Sequence, residues 1–147
     1  MVIEKSCGAV VFTKINNQIM YLIIRNLSGT YGFPKGHMEV AEIEQQTALR
    51  EVYEEVGICA KLIDGFKTED NYVLLQKENT IKNVVYFLAE YSKQNVKIQR
   101  EELLNAKLYT YDEAMNLFQY EGTKRVLKEA NSFLLSYYKK DESECYI

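Results

Sequence analysis

The 147-residue chain contains no tryptophan, one histidine (His37), one proline (Pro34) and three cysteines (Cys7, Cys59 and Cys145). Each scarcity excludes something. Cysteines that are odd in number, far apart and without C-x-x-C spacing argue against a disulfide framework or a zinc site, and fit a reducing compartment. There is no basic excess: 18 Lys and Arg against 21 Asp and Glu give a formal charge of −3. The chain therefore lacks the electrostatic footprint expected for duplex nucleic acid or an anionic membrane, and a phosphate-bearing ligand must be met by local positive charge or by metal. Long hydrophobic runs are missing too. The N-terminus MVIEKSCGAVVF carries an acid and a lysine before a short apolar run, too short and too charged for a signal peptide or a spanning helix, so a cytoplasmic location and no membrane partner are expected.

What is present is the composition of an ordinary globule, 47% hydrophobic and 27% charged. This length predicts one domain over residues 1–147, large enough to bury roughly 68–70% of its unfolded surface, with a polar tail over about residues 139–147 (KKDESECYI). Ser6 to Thr13 and Ile19 to Arg25 read as strands joined by a turn at Asn16-Asn17. Residues 26–37, with three glycines and a proline, read as a loop. Cys59 to Phe66 and Asn83 to Tyr91 read as further strands, with Gln76 to Lys82 as a hairpin loop. Lys107 to Tyr111 suits a short strand. Thr110 with Glu113 forms a capping box that opens a short helix, and Thr123 to Tyr138 carries helical apolar spacing.

Between Ile43 and Val56 the residues are good helix formers without Gly or Pro, and Gly57 stands where a C-cap glycine belongs. On that helix Glu51, Glu54 and Glu55 share a face, beside an apolar stripe of Ala48, Leu49, Val52 and Val56. Like charges at i, i+3 and i+4 destabilise a helix by roughly 0.2–0.5 kcal/mol per pair. Such crowding is either a solvated face or a place for a cation. A hard ion such as Mg²⁺ or Mn²⁺ suits carboxylates and shares phosphate oxygens with a substrate, whereas zinc would want His or Cys, and only His37 is near.

The spacing is more informative than the charge. Gly36, Glu42, Arg50-Glu51, Val52, Glu54-Glu55, Gly57 and Ile58 fit G-x5-E-x7-R-E-U-x-E-E-x-G-U, where U is aliphatic, at every fixed position across 23 residues. Here the sequence resembles the Nudix hydrolases. The resemblance implies an α+β fold, an α/β/α sandwich around a mixed sheet, and metal-dependent cleavage of a phosphoanhydride. By position it implies Glu51, Glu54 and Glu55 as metal ligands with the Gly36 carbonyl, Arg50 orienting them, and Glu42 supporting the cluster or the turn before the helix. A further glutamate, as ligand or base, would be Glu102 or Glu101 in KIQREELL. One departure stands out: Ala41 occupies a position where many members have glycine, so that turn is expected to differ or to be strained.

Beyond the motif, CGAVVF, GFPKGHMEV, TALRE, GFKTEDNYV and VVYFLAEY resemble the asymmetrical diadenosine tetraphosphate hydrolases within that family. This implies that Lys35 and His37 hold phosphate, with Lys77 or, better, Lys82 adding to it, and that Tyr72, Tyr120 and Tyr86 are candidates to stack on bases. Each also has a plainer fate, solvation for the lysines and core packing for the tyrosines. The expected reaction is hydrolysis of diadenosine tetraphosphate to ATP and AMP by metal-activated water. The alternatives are removal of pyrophosphate from triphosphate-ended RNA or from a nucleoside triphosphate, oxidised ones included, a non-catalytic nucleotide-sensing module, or a scaffold. Monomer and homodimer both remain open.

Overall fold

The computed structural model describes the backbone of residues 1–145 and the side chains of residues 1–140. In chain order the elements are β1 (Val2–Ile15), β2 (Gln18–Asn26), β3 (Tyr31–Gly32), β4 (Lys35–His37), α1 (Glu44–Val56), β5 (Lys61–Leu62), β6 (Thr68–Val73), β7 (Thr80–Glu90), β8 (Leu103–Tyr109), α2 (Tyr111–Leu117) and α3 (Glu121–Cys145). β1 pairs antiparallel with β2 through a turn in which Asn16 and Asn17 have φ of 51° and 64°. Two successive positive φ values define the turn type whose twist matches a hairpin, and asparagine tolerates them. β7 returns parallel to β1, while β8 adds antiparallel to β2 and β6 antiparallel to β7. The sheet is therefore mixed.

Helices cover both faces. Val10, Phe12, Tyr21 and Ile23 point to one side, against Ala114, Phe118 and the Val126, Leu127, Ala130 and Leu134 stripe of α2 and α3. Ala9, Val11, Leu22 and Ile24 point to the other, against Val52 and Val56 of α1. Burial on both faces explains why β1 and β2 read as unbroken apolar runs without alternation. Each fully buried large side chain contributes ~1.5–3 kcal/mol. The result is the expected α/β/α sandwich.

Several expected boundaries move. The loop over residues 26–37 holds two short strands, β3 and β4. The strand expected over Cys59 to Phe66 shrinks to β5, and β6, which was not expected, follows it. β6 escapes detection because TEDNYV is polar and mostly exposed, so no apolar period marks it. Lys82 lies inside β7, not at the end of a loop, because Thr80 to Asn83 pair with Val2 to Lys5. The last helix runs past Tyr138, and the expected polar tail belongs to its backbone as far as residue 145. From residue 141 onward that tail, with Cys145, falls outside the described side chains.

The entrance to α1 explains Ala41. Its φ is 71°, in the left-handed region, and the turn is closed by Glu42 N–H donating to the Glu39 carbonyl at 3.1 Å. The chain keeps the turn that glycine would make and carries the steric cost of a Cβ there. Ala41→Gly should raise the free energy of unfolding by about 1 kcal/mol, read as a higher urea midpoint with an unchanged slope.

Candidate functional site

The site grows from a close approach between a loop and a helix. A Cβ on Gly8 would lie 2.2 Å from the Pro34 carbonyl oxygen, and one on Gly36 would lie 2.1 to 2.4 Å from the carboxyl atoms of Glu51. Only glycine lets β1, β4 and α1 lie this near one another. Glu55, one turn further along α1, is buried at 7% exposure. It accepts a hydrogen bond from the Lys35 backbone N–H, while its Oε2 has no partner. Burial first, then the charges of Glu51 and Glu102, push its carboxyl up to about 8. Burial also raises Glu51, with Arg50 opposing and Glu54 and Glu102 reinforcing the rise.

Glu102 reaches this cluster because the segment before β8 is stitched to the end of α1. Lys97 N–H donates to the Val56 carbonyl at 2.8 Å, Gln99 N–H to the Glu55 carbonyl at 2.9 Å, and Glu102 N–H to the Gln99 carbonyl at 3.1 Å. Of the two glutamates considered in KIQREELL, Glu102 is the one whose charge acts on both Glu51 and Glu55.

Arg50 holds the opposite edge. Its Nε and Nη2 donate to the two Glu42 oxygens at 2.7 and 3.0 Å, its Nη1 to Glu51 at 2.9 Å and Glu54 at 3.1 Å, and Nη2 also to the His37 carbonyl at 2.9 Å. Glu42 in addition accepts from Thr47 Oγ1 at 2.8 Å and Glu39 N–H at 2.9 Å. The Arg50 bonds foremost, followed by the Glu39 N–H, lower the Glu42 carboxyl to about 2. Arg50 itself is held more firmly protonated than a free guanidinium, by Glu42 first. Among the described residues no three acidic, His or Cys side chains converge into a ready ligand cage, since Arg50 draws Glu51 and Glu54 toward itself. The donor chemistry nevertheless fits a hard divalent ion: carboxylate oxygens, a buried Glu55 Oε2 without a partner, and mutual repulsion that a cation would relieve.

Beside this cluster opens a cleft of about 690 Å³ lined by Lys35, Glu55, Asp70, Tyr72, Tyr86 and Tyr120, among others. Tyr72 and Tyr120 are 39% and 63% exposed, and Lys35 Nζ lies over the Tyr72 ring at 6.0 Å from its centroid. Tyr86 is 5% exposed and packs edge to face on Phe33 at 5.6 Å, which makes it part of the floor. Lys35 Nζ lies 3.3 Å from the Tyr72 hydroxyl. His37 and Lys82 do not line the cleft. They meet each other at 2.8 Å next to it, where the Lys82 charge, with a smaller contribution from burial, keeps His37 below its usual pKa.

Two acids at this site escaped the sequence reading. Asp70 lines the cleft at the start of α3, so close that a Cβ on Gly122 would fall 2.4 Å from its Oδ1. Glu4 bonds to Lys77 and faces His37 and Lys82. Neither belongs to a spaced motif. Asp70 sits within GFKTEDNYV, a stretch already singled out, and the charge of Glu4 within an apolar strand was the one available signal.

Comparison with known proteins agrees with this geometry. The NUDIX domain family profile matches residues 5–130. The bis(5'-nucleosyl)-tetraphosphatase [asymmetrical] of Sus scrofa is 36% identical over 144 residues, covering 90% of this chain and 96% of that protein. The NAD-capped RNA hydrolase NudC of Mannheimia succiniciproducens is 37% identical over 103 residues, covering 69% of this chain and 36% of that protein. Among solved structures, a C. elegans Ap4A hydrolase binary complex superposes with a TM-score of 0.82 at 25% identity, covering 90% of this chain and 98% of that one.

The raised Glu55 pKa has a measurable consequence for the metal-free protein. A carboxyl raised on folding contributes nothing unfavourable below its unfolded value, and destabilises progressively as pH rises from there through its folded value of about 8. In EDTA, wild type and Glu55→Gln should unfold at similar urea concentrations near pH 4.5. By pH 8.5 the variant should be the more stable by about 1–4 kcal/mol, because it no longer holds a buried charge beside Glu51 and Glu102.

Proposed function

The chain belongs to the Nudix family and is a Nudix hydrolase, and from that premise we propose that it hydrolyses diadenosine tetraphosphate to ATP and AMP. The single observation that carries the substrate choice is the cleft: a carboxylate cluster at one wall, Lys35 beside it, and two exposed tyrosines, Tyr72 and Tyr120, within the same concavity. That combination suits a polyphosphate carrying a base. The extended likeness to asymmetrical tetraphosphatases supports it, since it covers 90% of the chain.

In this reading Glu51, Glu54, Glu55 and the Gly36 carbonyl hold Mg²⁺ or Mn²⁺, with Glu102 as further ligand or as base. Such an ion, when bound, neutralises phosphate oxygens and lowers the pKa of water. The remaining work falls to the chain. Arg50 fixes the carboxylates in orientation through its fork of five donors, and Glu42, anchored by Thr47 and Glu39, fixes Arg50 in turn. Lys35 offers an ammonium to phosphate oxygens at the mouth of the cleft, Lys82 extends that positive rim, and His37, whose charged form Lys82 disfavours, adds a hydrogen-bonding ring nitrogen. Tyr72 and Tyr120 grip a base, and the buried floor around Tyr86 and Phe33 excludes water. Water attacks phosphorus, its oxygen is added to one product, and the bridging oxygen leaves with the other.

We further propose that the 147 residues act as one domain in the cytoplasm. Shared packing of both helical layers on a single sheet supports the first point, and the free thiols of Cys7 and Cys59 support the second. Among the described residues no helix is long and apolar enough to cross a membrane.

Purified protein with Mg²⁺ should convert diadenosine tetraphosphate to ATP and AMP, and ¹⁸O-water should label one product only; turnover of capped or triphosphate RNA in preference would overturn the substrate assignment. Replacing Glu54 and Glu55 together by Gln should cut kcat by about 100-fold or more, with the fold intact by circular dichroism. Tyr72→Ala and Tyr120→Ala should each raise KM by about 5- to 100-fold, as loss of base stacking does, with little change in kcat.

A further inference from the structure

Glu4 stands at the end of a row of cations. In register it is the neighbour of Lys82 across β1 and β7, and Lys82 is the neighbour of Tyr72 across β7 and β6. Residues so paired point to one face of the sheet. The same face carries His37, opposite Ser6, and Lys35, opposite Gly8. From the Lys35 row, next to Glu55, to the Glu4 row is four residues along β1, about 13 Å. Lys35 begins the track, His37 stands in the row between, Lys82 lies in the Glu4 row itself, and Lys77 from the hairpin tip bonds to Glu4. Among the described residues Glu4 is the acid whose carboxylate faces His37, Lys77 and Lys82 at once.

Its charge is also fixed in place. The Glu4 side chain is 23% exposed, Lys82 beside it is 7% exposed, and the Lys77 bond ties Glu4 to the hairpin. A partly buried, anchored carboxylate acts on neighbours more strongly than a free surface one. A phosphate chain laid along Lys35 and Lys82 is attracted along this track and then meets negative charge.

We propose that Glu4 is a specificity-determining residue, an acidic stop that disfavours polyphosphate chains long enough to reach the row it shares with Lys82 and continue toward Lys77. This deepens the proposed function and rests on the phosphate track it assumes. The stop is electrostatic: a chain reaching Glu4 must displace its carboxylate from Lys77 and lie beside it. Shorter chains never touch it.

The test uses the whole protein and two separate readouts. By calorimetry, binding of linear inorganic polyphosphates is measured from tripolyphosphate upward for wild type, Glu4→Gln and Glu4→Asp. Glu4→Gln should tighten the longer chains by about fivefold, the scale of a partly exposed charge pair, and leave tripolyphosphate unchanged, while Glu4→Asp keeps the wild-type pattern. An equal shift at every length, or weaker binding of long chains, would overturn the proposal and mark Glu4 as a mere anchor for Lys77. Turnover of dinucleoside tri- to hexaphosphates by the same proteins is scored in parallel, and the longer substrates should show a lower KM in Glu4→Gln at unaltered kcat. If wild type cleaves none of them, the proposed reaction fails, while the calorimetric comparison still decides the role of Glu4.

Discussion

The fork of Arg50 is the interaction on which the site depends. One guanidinium satisfies Glu42, Glu51, Glu54 and the His37 carbonyl, so it joins the entrance turn, the body of α1 and the end of β4 in a single bonded unit. Without a central cation the like charges of α1 would splay apart. A lysine could not replace it, because a point charge on a flexible stem has neither the planar geometry nor the donors for four acceptors. The clamp also explains why Glu42 is so acidic and Glu55 so reluctant to ionise. Glu42 lies within the fork, whereas Glu55 lies behind it, where burial and the charges of Glu51 and Glu102 outweigh the opposing Lys35.

Glycines make that clamp possible at a distance of one side chain. Gly8 lets β1 lie against Pro34 and Lys35, and Gly36 lets β4 lie against Glu51 of α1. The fold then places α1 on one face of the sheet and α2 and α3 on the other, and the cleft opens at the start of α3 with Glu55 and Lys35 in its wall. Ala41 is the counterexample, since the turn keeps a glycine conformation without a glycine. The motif is thus tolerant where a Cβ costs a little strain, and intolerant where it would collide with backbone or carboxylate.

How much was legible depended on whether a signal was local. α1 could be read to within a residue of each end, because helical period, capping glycine and the spacing of Glu51, Glu54 and Glu55 all lie within one short stretch. The hairpin of β1 and β2 was equally open, its turn announced by two asparagines. β6 was not, since a polar strand with an exposed face carries no periodic mark, and its order comes from β7. Lys82 looked like a loop residue for the same reason: the partners that make it a strand residue are Tyr72, in the unmarked β6, and Glu4, far away near the N-terminus. Glu102 was placed by three backbone hydrogen bonds that no residue type announces. The order of Tyr72 and Tyr120 ahead of Tyr86 was legible from position, since Tyr86 falls within an apolar strand, and its packing on Phe33 gives the physical reason.

The parallel pairing of β1 with β7 also governs when the site can exist at all. Val2 meets Thr80 and Phe12 meets Glu90, so the central ladder closes a loop that spans more than half the protein. Contacts of such long sequence separation form late and slow the folding of a domain. During synthesis the first strand emerges with both apolar faces exposed and waits for its parallel neighbour, the condition under which nascent chains are most prone to associate. The charged end of that strand, Glu4 and Lys5, stands where an unpaired strand would otherwise be most open to joining another.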